Sequence, residues 1–73
     1  METRSHVEIS PKRALNNVRA CSDDDHASEY LFRNVGWGAV LSLARSIGIK
    51  ATSRTRMTRE WCFTLAQRLR TAT

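Results

Sequence analysis

The chain has 73 residues, with 12 Lys+Arg against 7 Asp+Glu and a formal charge of +5. So short a chain holds one domain and a small core, which excludes a multi-domain enzyme. Hydrophobic residues make up 41% and charged residues 26%, the balance of a folded protein rather than a disordered one, and the positive excess ranks nucleic acid ahead of a membrane surface or an acidic protein as partner.

In chain order, residues 1–9 read as a mobile arm, with Val7 and Ile9 alternating with His6 and Glu8. This stretch has neither a basic start leading into an apolar run nor a small-residue cleavage site, so it is not read as a secretory signal, and the expected location is the cytoplasm. Ser10-Pro11 is a helix start, because the Ser hydroxyl caps free amides and Pro is tolerated at the first helical position. A helix from about Pro11 to Ala20 follows, burying Ala14, Leu15 and Val18 on one stripe.

Ser22-Asp23-Asp24-Asp25 breaks that pattern and supplies a cap plus negative charge for a second helix, from Asp24 or Asp25 to about Asn34, whose apolar face is Ala27, Tyr30, Leu31 and Val35. The Asp-Asp-Asp-His run is read as a cap and not a metal site, since adjacent residues on one turn splay apart and no second ligand cluster completes a shell. Gly36-Trp37-Gly38 reads as a hinge with Trp37 inserted in the core. It lacks the third glycine, the preceding strand and the room that a dinucleotide-binding unit needs.

A third helix runs from Trp37 or Gly38 to Ser46, packing Val40, Leu41, Leu43, Ala44 and Ile47, with Gly48 placed as a left-handed C-cap. Ile49 to Met57, rich in Ser, Thr and Arg, has no helical period and reads as an extended loop. Thr58, or Thr55 if the helix starts earlier, caps a fourth helix to about Arg70 that buries Trp61, Cys62, Leu65, Ala66 and Leu69. The expected fold is therefore all-α, a small single-domain bundle of about four short helices over residues 1–73. Residues 10–35 form its N-terminal helices and 37–70 a basic helix, extended loop, helix unit. The apolar run from Val35 to Ala44 is about half of the roughly 20 residues that a membrane span needs. Cys21 and Cys62 are read as free thiols, their spacing supporting neither a disulfide framework nor a zinc site.

Dividing the charge sharpens the functional reading. Residues 1–44 hold five basic and six acidic side chains, a net of −1, whereas residues 45–73 hold seven basic side chains against Glu60 alone, a net of +6. Six of those seven are arginines, whose planar fork suits bidentate contact with phosphate or carboxylate. Lys50, Arg54, Arg56, Arg59, Arg68 and Arg70 are the candidate binding residues for nucleic acid or an acidic partner.

The segment Val40 to Trp61 resembles the helix, extended loop, helix unit shared by the N-terminal domain of transcription terminator Rho and by SAP-like nucleic-acid-binding modules. Leu43-Ala44, Gly48-Ile49 and Ser53-Arg54-x-Arg56-Met57-Thr58-Arg59-Glu60 carry the likeness, which covers about residues 37–70. It implies that Gly48 ends the first helix, that Ile49 and Met57 dock the loop from its two sides, and that the arginines face phosphates. The chain departs from the pattern at Trp61, where the family has an aliphatic residue, and at Ala51-Thr52, where it often has glycine or proline. A bulkier core and a stiffer loop follow.

Two functions of different class fit these features. One is a small non-catalytic nucleic-acid-binding protein that contacts the phosphate backbone through the Arg-rich loop and last helix. The other is a small inhibitor or adaptor of the phage or mobile-element type that meets an acidic face of a host protein with the same basic surface. An enzyme is not expected: His6 and His26 lie in the arm and at a helix start, and nothing pairs a nucleophile with a base. No cofactor and no metal are expected, and so small a core is compatible with a homodimer that buries Trp37 or the first helix.

Overall fold

In the computed structural model, residues 9–52 and 54–71 are described; residues 1–8 of the arm read over 1–9 lie outside them, as does Ser53. Four helices follow one another, α1 (Pro11–Ala20), α2 (Asp24–Asn34), α3 (Trp37–Ser46) and α4 (Arg59–Thr71), and the described residues contain no strand. The chain is a small all-α bundle.

Each boundary has a local cause. Ser10 sits in extended backbone before Pro11 and its hydroxyl accepts from the Arg13 amide at 3.2 Å. Asp23 caps α2, its carboxylate accepting from the His26 amide at 2.8 Å and meeting the His26 ring Nδ1 at 2.8 Å. Thr58 caps α4, with its hydroxyl accepting from the Trp61 amide at 3.1 Å, so Thr55 is left to the loop. These side chains satisfy amides that the first helical turn leaves without partners.

The Asp23 carboxyl is held below its ordinary value, first by the His26 amide and then by the His26 side chain. A depressed carboxyl stabilises the fold above its unfolded value of 3.8, and that contribution is lost as pH falls through the lower folded value. A melting series across this acid range is expected to show falling stability, and Asp23→Asn to flatten part of the fall.

Helix α3 ends in a paired carbonyl motif. The Gly48 amide donates to the Arg45 carbonyl at 3.1 Å and the Ile49 amide to the Ala44 carbonyl at 2.9 Å, with Gly48 at φ 84. That left-handed conformation is strained for any residue with a Cβ, and space is not the issue, since nothing lies within 4 Å of where a Cβ would stand. Gly48→Ala is accordingly expected to cost about 1 kcal/mol in chemical denaturation. Gly36 and Gly38 differ: neither has positive φ, so the α2 to α3 junction is made by extended Val35 and Gly36 and does not need a glycine hinge.

The core collects Val18 from α1, Leu31 from α2, Val40 and Leu43 from α3, and Cys62, Leu65 and Leu69 from α4, with alanines at the close approaches. Helices α2 and α4 form the principal packing pair, and α1 lies against the other three. Ile9, placed in the arm by the sequence reading, is packed against this core. Trp37 is also placed differently: it is half-buried, its ring centroid 5.6 Å from that of half-buried Trp61. Burying one large ring completely is difficult in so thin a bundle, so the two cover each other instead.

Candidate nucleic-acid interface

The loop that joins α3 to α4, residues 47–58, is ordered by its own hydroxyls and by one arginine. Thr52 and Thr55 close a turn in both directions, Thr55 N to Thr52 O at 3.0 Å and Thr52 N to Thr55 Oγ1 at 3.0 Å, and the Arg54 amide donates to Thr52 Oγ1 at 3.2 Å. Arg45 reaches out from α3 and donates to the Ala51 carbonyl through Nε at 3.3 Å and a terminal nitrogen at 3.2 Å. Ala51 is itself buried, and Ile49 and Met57 rest half-buried on the core. Among its described residues the loop is therefore tied at Ala51, at the Thr52 and Thr55 contacts and at both shoulders.

The basic residues of the C-terminal half divide into two sets. Lys50, Arg54 and Arg56 stand exposed on this loop, and Arg68 stands exposed on α4. None of the four side chains makes an ion pair or hydrogen bond with another described residue.

Arg59 and Arg70 are placed otherwise. The Arg59 guanidinium lies 4.9 Å over the Phe32 ring and pairs with Glu29 at 2.7 Å, and Arg33 holds the other oxygen of the same carboxylate. Arg70 is drawn further in, its side chain 21% exposed. It donates to the Val18 carbonyl at 2.9 Å and the Cys21 carbonyl at 2.7 Å, and pairs with Asp24 at 2.8 Å. The carbonyls at the end of α1 carry partial negative charge, as does the acid in the first turn of α2, so one guanidinium joins three helices. Of the six candidates in the sequence, the fold brings three together on one loop, leaves Arg68 on the neighbouring helix, and engages two in its own packing.

The loop contacts made by Arg45, Thr52 and Thr55 were not singled out from the sequence. The signal available was the Thr-x-x-Thr spacing repeated through Thr52, Thr55 and Thr58, the offset at which a hydroxyl meets an amide three residues away.

A groove of about 580 Å³ between α2 and α4 has a different character, lined by Asp25, Glu29, Glu60 and Phe63 among others. Arg59 also lines it, and none of Lys50, Arg54 and Arg56 does. Cys62 is fully buried and its thiol is pushed up to about 11 by desolvation, so it stays protonated near neutrality and is a poor nucleophile. Among the described residues no group of three or more His, Cys, Asp or Glu side chains is arranged to hold a metal ion. No helix among them is long and apolar enough to cross a membrane. Comparison with protein-family models, curated proteins and solved structures returns no match to this chain.

Proposed function

We propose that this chain is a small non-catalytic nucleic-acid-binding module that holds the phosphate backbone with Lys50, Arg54 and Arg56, with Arg68 at the edge of the contact. One observation carries the reading. Where other arginines of the basic half are spent on internal carbonyls and carboxylates, these cations stay exposed and without a carboxylate partner among the described residues, on a loop tied by hydroxyls and by Arg45. A cluster of exposed cations on a hydrogen-bonded loop attracts a polyanion and lowers the ordering cost of binding it.

The amides at the start of α4 are a weaker part of the contact. Thr58 already takes the Trp61 amide, and Glu60 sits in the first turn, where its charge offsets the positive end of the helix. Backbone contacts position a ligand without reading its bases, so the module is expected to bind with little sequence preference. The resemblance of residues 37–70 to the Rho N-terminal and SAP-like units supports the same reading, with α3, the loop and α4 as the unit and Gly48 and Thr58 at its two corners.

The test is binding of a labelled duplex at low salt by the wild type and by Lys50→Ala/Arg54→Ala/Arg56→Ala. Binding by the first and not the second supports the reading, and no binding of either the duplex or a single strand by the wild type removes it. A pull-down from lysate gives the competing result: a single protein retained after nuclease digestion would assign this face to an acidic protein surface.

A further inference from the structure

Resting on that reading of the loop, we infer that the preferred ligand is a single strand, with unpaired bases stacking on the Trp37–Trp61 pair while the loop cations hold the phosphates. The chain has only two tryptophans, and they meet at 5.6 Å with planes tilted by 54° although their positions are 24 residues apart. Both rings are half-buried, so each keeps part of its surface toward solvent. Trp61 lies in the first turn of α4, next to the cap that ends the basic loop, and Arg56 is only five positions before it. Loop cations thus run in sequence up to one member of an aromatic pair, and cations beside aromatic rings are the combination that binds single strands: a charged track for the backbone and π-faces for the bases. A duplex offers the same phosphates but keeps its bases stacked on one another, so it cannot use the rings.

Gly38 is the second observation. It occupies the second position of α3, where glycine weakens a helix relative to alanine. Its φ is not positive, it is exposed, and nothing lies within 4 Å of where its Cβ would stand, so neither the backbone nor internal packing calls for glycine there. Gly36, on the other side of Trp37, is exposed and equally open, although glycine has a use there as helix cap. Bare backbone on both sides of a half-exposed ring leaves room for a base to approach it.

The experiment compares a short oligothymidylate with a duplex of equal length, followed by anisotropy of the labelled nucleic acid and by tryptophan fluorescence, for the wild type and Gly38→Leu. Leu has a better helix propensity and meets open space, so a thermal melt of the variant is expected to match or exceed that of the wild type. The wild type is expected to bind the single strand about tenfold tighter than the duplex, the increment of one stacked base, with quenching of its fluorescence. Gly38→Leu is expected to lose most of that advantage.

Equal affinity for both ligands, with no quenching, would overturn the stacking platform while leaving the loop site in place. Absence of binding to either ligand would remove the loop site, and this inference with it. A wild-type dimer in sedimentation that Gly38→Leu converts to monomer would overturn the platform too, because a second copy would then cover the tryptophans.

Discussion

Arg70→Ala is expected to lower the stability of the domain by about 2–3 kcal/mol, more than Arg59→Ala or Arg68→Ala. The figure follows from two charge-assisted hydrogen bonds and one ion pair, discounted for the solvent that reaches them. The bonds run to the Val18 and Cys21 carbonyls and the ion pair to Asp24, so removing the guanidinium releases the end of α1 and the start of α2 from α4 together. In a domain of this size the loss corresponds to a melting point about 10–20 °C lower. Arg70→Lys keeps the charge but not the planar fork that meets two carbonyls and a carboxylate, so it is expected to recover less than half of the stability. Arg68→Ala, two positions away and exposed without a hydrogen-bond or ion-pair partner among the described residues, is expected to stay within about 0.5 kcal/mol of the wild type. Thermal and urea denaturation of the three variants checks these values.

The opposite profile is expected for Lys50→Ala/Arg54→Ala/Arg56→Ala. These side chains are exposed and make no ion pair or hydrogen bond with another described residue, so the melting point is expected to change little. The loop backbone keeps its shape, because Thr52, Thr55 and Arg45 hold it and none of them is altered. Affinity for nucleic acid is expected to fall about 100-fold at low salt, since each lost cation removes a released counterion and a phosphate contact. The two experiments separate arginines that hold the protein from those free to hold a ligand. A loop variant that unfolds, or an Arg70 variant that melts normally yet fails to bind, would reverse the assignment.

The helix boundaries were legible in the sequence because their causes are local. Ser10-Pro11, Asp23, Gly48 and Thr58 act on amides or carbonyls within a few residues of themselves, so their residue types and spacing suffice to place the ends of the helices. The buried faces of α2 and α4 follow from apolar spacing in the same way. The division of the arginines was not legible, because the partners lie far away in sequence. Arg59 pairs with a carboxylate 30 residues earlier, and Arg70 reaches carbonyls 49 and 52 residues earlier.

Charge counting treats all seven basic residues of the last 29 alike, and only packing distinguishes them. Trp37 shows the same limit. An apolar pattern says that a ring is buried but not by how much, and the degree of burial depends on the facing ring of Trp61. Trp61 is likewise accommodated by its pairing with Trp37, both rings half-buried.

If three loop cations meet phosphates, duplex affinity falls steeply as salt rises. Three such contacts predict a slope of log affinity against log salt near −2.7, or about a 40-fold loss between about 50 and 200 mM. Each single alanine change at Lys50, Arg54 or Arg56 is expected to make that slope shallower by about 1. No binding at the lowest salt, or a slope that the three substitutions leave unchanged, would contradict the account.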